Sequence, residues 1–467
     1  MTKTFVGPQL RQLRRERHQT QAEMAKVLGI SAGYVNLLEN NERSLSLRLL
    51  MALADNYGVD WRDIVVDKTS NLLAELRSVI KDPMFSAAPD LIELRAAIDH
   101  APRLAEQFLY LYGVHRNTLE RLMREGSSVT NDRLLATSAE AVVHDFFRDN
   151  SNYFHDLEIA AEALRASESS EPDDMYATLK ARLLNTHGIR IKRRATEEMT
   201  QALRVYDKEN RVVYLSEALD YSNVLFQLAH VVSLIELQEL LNKLTAGGKI
   251  KPGTSLARCH VELANYFAAA FLMPYEPFLR EAELMGYDID RLAARFGVSF
   301  EQTCHRLTTL QRPGAQGVPF FFLRVDKAGN VTKRFNSTSF HLAEYGGACP
   351  VRKVHMAFRL AGVIIPQFVE LPDGDRFFTI SRTVDRPTVN FETQDHRLAV
   401  SLGCELQHAK KLGYAAAFNL DDERIFSRIG INCHVCPRQA CSQRAHQPLF
   451  TDLPLDTSRR GKTRYES

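Results

Sequence analysis

Apolar residues recur every three to four positions through most of the first 165 residues, the period of helices that bury one face. Residues 8–66 carry this period with one tight turn at Gly29, which predicts a compact all-helical unit. The same period runs from Asn71 to about Ala166, in stretches such as LLAELRSVI and DRLLATSAEAVVHDFF. There Phe146, Phe147, Tyr153 and Phe154 fall on one side and read as helix-bundle core. ASESSEPDD, residues 166–174, has the small and acidic composition of a solvated linker. Beyond it helices and strands alternate. YATLKARLLNTHG reads as a helix, and RVVYLS as a strand of β-branched and aromatic residues. NVLFQLAHVVSLIELQELLNKL, SLARCHVELANYFAAAFLMP, DIDRLAARFG and SFEQTCHRLTTLQR read as helices. After Pro313, VPFFFLRVDKAGNVTKRF predicts a hairpin that turns at Lys327–Asn330; RFFTISRTV is a further strand, and SLGCELQHAK reads as helical. The expected fold is multi-domain. An all-α head (1–70) and a helical connector (71–165) precede an α+β region in two parts (175–312 and 313–455), and the tail 456–467 is expected to be disordered.

Composition narrows the class. A chain of 467 residues, 45% apolar and 25% charged, is an ordinary globular protein of several domains. No apolar run approaches the roughly 18 residues that span a bilayer, and the start MTKTFVGPQLRQLRRERHQ lacks the apolar core of a signal peptide, so a cytoplasmic protein without a membrane partner is expected. With a net charge of only +2, any nucleic-acid surface must be local, and Arg11, Arg14, Arg15 and Arg17 form one such basic cluster. Seven cysteines, an odd number, argue against a disulfide framework in a reducing compartment.

Thr20 to Glu23 has the Thr-x-x-Glu form of a capping box. Ala25 is small where helices cross, Gly29 suits the left-handed end of the first helix, Ile30 is a buried plug and Ser31 caps the next helix, SAGYVNLLEN. On that helix Val35 and Leu38 share one face. Ser31, Ala32 and Asn36 lie at and after its exposed N-terminal end, the part that reaches base edges in a major groove. The ordered set, carried by TQAEMAKVLGISAGYVNLLENNERSLSLRLLMALADNYGV, resembles the XRE, or phage-repressor-like, helix-turn-helix family. The resemblance implies operator DNA as partner, Gln21 on a phosphate or base, Ser31, Ala32 and Asn36 at base edges, and Arg14 and Arg43 on phosphates. Thr20, at the helix start, completes this DNA-facing set, whereas Tyr34 is read as core packing. A homodimer or higher homo-oligomer is expected, since one helix-turn-helix reads a half-site.

The helices around NVLFQLAHVVSLIE and HVELANYFAAAFLMP resemble the ImmA/IrrE metallopeptidase-type domain, whose first helix bears His-Glu-x-x-His. Here His230 remains, but Val231 stands in place of the glutamate and Leu234 in place of the second histidine. One imidazole cannot hold a catalytic zinc that takes three protein ligands, and Glu262 on the next helix does not repair the loss. His230 therefore reads as a satisfied core or pocket histidine, and the chain as no enzyme.

Cys433, Cys436 and Cys441 form C-x2-C-x4-C, flanked by Gly430, Pro437 and Arg438. Three close thiolates can wrap a soft metal or cluster, and zinc and [4Fe–4S] both suit four. The fourth ligand comes from Cys349, Cys404, His434 or His446. Cys349 is preferred because Gly-Gly and Pro bracket it, whereas Cys404 sits in a helical, apolar context, and core is the default for Cys259 and Cys304.

From its head through NYFHDLEIAAEAL, RFGVSFEQTCHRLTTLQRPGAQGVPFFFLRVDKAGNVTKR, YGGACP, LGCE and HVCPRQACSQRA, nearly the whole chain resembles the short-chain fatty acyl-CoA regulators. That resemblance implies an acyl-CoA effector, a four-cysteine iron–sulfur site and control of acetyl- or propionyl-CoA metabolism. Val351-Arg352 departs from the usual apolar-aromatic pair. Coenzyme A needs cations and an apolar slot, which nominates Arg306, Phe321, Arg324, Lys333 and Arg334. A redox-sensing iron–sulfur regulator without acyl-CoA is the alternative, and a metallopeptidase-type antirepressor a weaker one.

Overall fold

The computed structural model describes residues 7–448 other than 18, 41, 44, 58–67, 81, 83–84, 86–88, 125–138, 168–174, 200–201, 247–249, 251–252, 341–347 and 387–396, together with residue 453. Most of the expected linker and all of the expected tail lie outside the described residues. The chain forms two compact units, 1–120 and 121–467.

In the first unit α1 (Gly7–Glu16), α2 (Gln21–Leu28), α3 (Ala32–Glu39) and α4 (Leu47–Tyr57) enclose Leu10, Met24, Ala25, Leu28, Val35, Leu38, Leu49, Leu53 and Tyr57. Ile30 and Tyr34 pack against this core. The capping box forms as its residues dictate: the Thr20 side chain accepts from Glu23 N–H while the Glu23 carboxylate accepts from Thr20 N–H. Gly29 takes φ +68° and ends α2, and Ser31 caps α3. A second apolar cluster, with Leu76, Ile80, Leu94, Ile98 and Ala105, joins α5 (Lys68–Val79), α6 (Leu91–His100) and the start of α7 (Pro102–Arg124).

The second unit begins with α8 (Ala139–Asp149), α9 (His155–Ser167) and α10 (Met175–His187). The stretch 71–165 is therefore not one connector, because Phe147, Phe154 and Leu157 are buried in the core of the second unit. β1 (Arg190–Arg194), β2 (Arg204–Asp207) and β3 (Val212–Ser216) form a small sheet in the order β1-β3-β2, with β1 parallel to β3. After it come α11 (Tyr221–Glu236), α12 (Gln238–Ala246), α13 (Thr254–Leu272), α14 (Tyr275–Leu284), α15 (Ile289–Phe296) and α16 (Phe300–Leu307). The long apolar run over α11 and α12 is bent by 74° between them, and no single described helix is long and apolar enough to cross a membrane.

β4 (Phe321–Val325), β5 (Val331–Asn336), β6 (Ile365–Glu370), β7 (Arg376–Asp385), β8 (Arg397–Glu405) and β9 (Phe426–Arg428) form a six-stranded sheet ordered β5-β4-β8-β7-β6-β9. It is antiparallel except where β9 runs beside β6. The predicted hairpin is β4–β5, with Gly329 at φ +83° in its turn. LGCE is strand, not helix: a fully buried β8 shows the same continuous apolar run as a buried helix. Successive side chains point to opposite faces. Phe322, Phe335, Phe378 and Cys404 join the helices in one core that runs from Val143 to Ala415, whereas Phe321, Val369 and Phe377 pack with Phe340 and Cys349 on the other face. The regions 175–312 and 313–455 thus share a core.

Candidate functional sites: the DNA-reading helix and the cysteine pocket

At the head, Ser31, Ala32 and Asn36 are exposed on one end of α3, while Val35 and Leu38 hold its opposite face in the core. Asn36 Oδ1 accepts from Gln21 Nε2 at 3.3 Å and from Asn40 Nδ2 at 3.2 Å, so α2 and α3 present a linked polar surface. Thr20 and Arg43 are exposed as well. Arg14 is a correction. Its guanidinium donates to both Glu39 oxygens at 2.6 and 3.1 Å and to the Gln19 carbonyl, so it braces the fold instead of standing free for phosphate. Glu39 is buried at the end of α3 and also accepts from Gln21 at 2.9 Å. Arg14 and Gln21 outweigh its burial and hold its carboxyl below the usual range. Sequence reading missed Glu39, since a glutamate at a helix end looks solvated until α1 folds over it.

The peptidase-like site is rebuilt without a metal-ligand triad. His230 is 4% exposed, accepts from Arg204 at 2.7 Å through Nδ1 and hydrogen-bonds the Val261 backbone; burial pushes its pKa down to about 4, so it is a neutral, satisfied imidazole. Glu262 pairs with Lys333 at 3.3 Å. Burial opposes its ionisation, but the Lys333 ammonium overrides this and takes its pKa to about 2.

The five residues nominated for coenzyme A do not form one pocket. Arg306 is fully buried and bidentate to Glu158 at 2.6 and 2.9 Å, and it donates further to the Met273 carbonyl and the Thr309 hydroxyl. Phe321 packs on the opposite sheet face, against Phe340 at 4.2 Å between ring centroids. Arg324 is paired with Glu301 at 2.6 Å, Lys333 with Glu262, and Arg334 acts on His144 and Asp145. Arg306 lies on α16, and strand alternation turns Phe321 to the face opposite Arg324, whose register partner is Lys333.

The thiols do come together. Cys349, Cys433, Cys436 and Cys441 line one cavity with Gly430, Asn432, Arg428, Arg438 and Arg444. Cys404, on β8, is fully buried on the far face of the sheet, where burial pushes its thiol pKa up. Asn432 Oδ1 accepts from the N–H groups of His434 and Val435 and so curls the Cys433–Cys436 loop. Arg444 donates to the carbonyls of Cys433, Cys436 and Arg438, and Arg438 donates to those of Ile429 and Glu370. Gly430 N–H donates to Cys349 Sγ at 3.5 Å, and a Cβ on Gly430 would stand 2.7 Å from Cys436 Sγ. His434 and His446 stack at 4.4 Å. Among the described residues no three histidine, cysteine or acidic groups meet at the spacing of a single ion.

Arg352, which the sequence marks only as a departure from the usual pair, proves to be a buried charge. It is buried against Phe321 and Phe340, its Nη2 has no hydrogen-bond partner, and burial lowers its pKa to about 10. The charge acting on it is that of Cys349. A buried cation facing a thiol set fits an anionic thiolate-bound group.

Comparison with known proteins finds three matched regions. Residues 10–64 match a helix-turn-helix family, 184–308 an IrrE N-terminal-like domain, and 309–465 the family described as short-chain fatty acyl coenzyme A regulator, C-terminal. The chain is 37% identical to the propionyl-CoA carboxylase regulator of Cereibacter sphaeroides, with 99% of each covered. It is 36% identical to the transcriptional regulator RamB of Mycobacterium tuberculosis, covering 98% of each, and 34% identical to PrpR of the same species, covering 100% of this chain and 96% of that one. A solved Mycobacterium tuberculosis transcriptional regulator superposes with a TM-score of 0.67 at 36% identity, covering 71% of this chain and all of that one. With its exposed α3, its altered peptidase site and its cysteine pocket, the chain belongs to the short-chain fatty acyl-CoA regulators, DNA-binding transcriptional regulators of the helix-turn-helix type.

Proposed function

We propose that the chain is an acyl-CoA-responsive regulator that binds operator DNA through Ser31, Ala32, Asn36, Gln21, Thr20 and Arg43, as a dimer or higher oligomer in the cytoplasm, and controls the metabolism of its effector. The reading rests above all on full-length similarity to a protein named as a propionyl-CoA carboxylase regulator. Acetyl- or propionyl-CoA is the effector to test. Calorimetry of anaerobically purified protein with acetyl-, propionyl- and free coenzyme A is the decisive measurement: saturable binding of an acyl-CoA that shifts operator affinity supports the reading, whereas binding of none leaves a redox-sensing regulator. A ligand can shift operator affinity only by its unequal affinity for the two arrangements.

Cys349, Cys433, Cys436 and Cys441 would hold a [4Fe–4S] cluster, which supplies one-electron chemistry and ties the last folded segment to the Cys349 turn. The four-thiol set and the buried Arg352 support this choice. Anaerobic protein should be brown, with iron and sulfide in a ratio near one, and should lose both in Cys349→Ala and Cys433→Ala but not in Cys404→Ala. Colourless protein with one zinc per chain replaces the cluster with zinc.

A further inference from the structure

The Asn36 amide stands where two hydrogen-bond chains meet, and each chain begins at an ion. On one side the Glu39 carboxylate, gripped by Arg14 through both oxygens, accepts from Gln21 Nε2 at 2.9 Å. A carboxylate can only accept, so it turns the Gln21 amide nitrogen toward itself. That nitrogen gives its second hydrogen to Asn36 Oδ1 at 3.3 Å. On the other side the Arg11 guanidinium, which can only donate, gives to Asn40 Oδ1 at 2.6 Å and to the Glu39 carbonyl at 3.2 Å. The Asn40 nitrogen is thereby turned toward Asn36, where it donates to the same Oδ1 at 3.2 Å.

An amide oxygen has two lone pairs, and here both are taken. Turning the Asn36 amide over would set its nitrogen against two other nitrogens, with no acceptor among the three. The oxygen is therefore held toward the protein. Asn36 itself is exposed, and its amide nitrogen has no acceptor among the described residues. An asparagine free to use both ends of its amide reads adenine, accepting from N6 and donating to N7. Asn36 retains only the donating end. Its hydrogens meet acceptors alone at N7 and O6 of guanine, whereas adenine and cytosine turn an amino group toward them.

We infer that Asn36 reads guanine by donation alone, and that Gln21 and Asn40 are positioning residues that fix this polarity, each oriented by an ion behind it. The inference rests on the proposed binding of operator DNA through α3 and adds the base that is read. Gln21 spends both amide hydrogens within the protein and so has none to give a phosphate.

The test selects duplexes from a random-sequence pool on the full-length protein. Wild type is compared with Asn36→Ala, Asn36→Asp and the double variant Gln21→Met/Asn40→Ala, with thermal melting as the folding control. The position that loses its preference in Asn36→Ala should be guanine in wild type, favoured over adenine about tenfold. There 7-deazaguanine, which lacks N7, should weaken wild-type binding several-fold, and inosine, altered only on its minor-groove edge, should not. Asn36→Asp still accepts from Gln21 and Asn40 but has no hydrogen to give, and should lose the guanine preference at an unchanged melting temperature. The double variant frees the Asn36 oxygen and should bring adenine within about threefold of guanine. A merely structural role for Gln21 and Asn40 would lower the melting temperature and leave the base preference as it was. Adenine at the Asn36-dependent position of wild type, the lack of any such position, equal binding of 7-deazaguanine and guanine, or an unaltered preference in the double variant overturns the inference and leaves operator binding in place. A pool from which wild type enriches no sequence removes operator binding itself, and the readout with it.

Discussion

Among the described residues Glu39 of the first unit and Glu158 of the second are the most deeply buried carboxylates, and the two are held in different ways. In the head, Glu39 gathers Arg14 and Gln21 from helices within 25 residues of it, at a depth that solvent still reaches through Arg14. In the second unit, Glu158 on α9 meets Arg306 on α16, 148 residues away, both wholly buried, and Tyr266 of α13 donates to the same carboxylate. The head closes on itself locally, whereas the second unit is pinned by pairs that exist only after the chain has returned on itself. The second unit should therefore be the more sensitive to changes in charge.

The largest expected effect is that of acid. Burial lowers the pKa of His144 and His230 to about 4 and of His305 to about 3, against an ordinary value near 6.5. The unfolded state therefore binds protons first. Each histidine withdraws stability as pH falls below 6.5, by about 3 kcal/mol for His144 and His230 and about 5 kcal/mol for His305 once pH reaches the folded values. Glu39, held low, contributes above the ordinary carboxylate range and loses its contribution only as pH falls below it. Acid titration followed by hydrogen exchange should show the second unit opening between pH 6.5 and 4 while α1–α4 stay protected; loss of protection in the opposite order would break the comparison.

Next in size is the buried pair. Arg306→Met leaves Glu158 charged and unmatched, and should cost about 3–5 kcal/mol in denaturant unfolding, with much of it recovered in the double variant Glu158→Leu/Arg306→Met. Arg14→Ala, at the edge of solvent, should cost the head about 1–2 kcal/mol. Equal costs at the two sites would erase the distinction drawn between them.

A smaller effect isolates the cysteine pocket. Gly430→Ala places a methyl group against Cys436 and should destabilise the loop by about 1–3 kcal/mol. Metal or cluster content per chain should fall with it, whereas Gly297→Ala, strained by its φ of +65° but with no other atom within 4 Å of the new Cβ, should leave that content unchanged. The smallest effect on folding is at the DNA face: Asn36→Ala should leave the melting temperature in place, weaken operator binding by about 1–3 kcal/mol and relax preference at one base position. If footprinting shows the sequence preference intact, the recognition helix is misplaced.

The helix-turn-helix was legible because its determinants are neighbours in sequence: Thr20 with Glu23, Gly29 at φ +68°, and Ser31 before α3 are local rules that no distant contact alters. The cysteine pocket was half legible. Spacing gathered Cys433, Cys436 and Cys441, but the choice of Cys349 over Cys404 turns on which face of the six-stranded sheet each occupies. The coenzyme A nomination failed for the same reason, since Phe321 and its neighbours Phe320 and Phe322 are adjacent in sequence and opposed in space.

By itself the sequence determined the helical head and its caps, the loss of the peptidase ligands at Val231 and Leu234, the hairpin turn at Gly329 and the thiol triplet, all of which depend on residue type and short spacing. Only the tertiary structure decided that Arg14 and Arg306 serve buried carboxylates and that Arg352 stands without a hydrogen-bond partner on Nη2 near Cys349. The physical reason is that the charge on an arginine is fixed by its chemistry, whereas its partner is fixed by burial and by strand register, which long-range packing imposes.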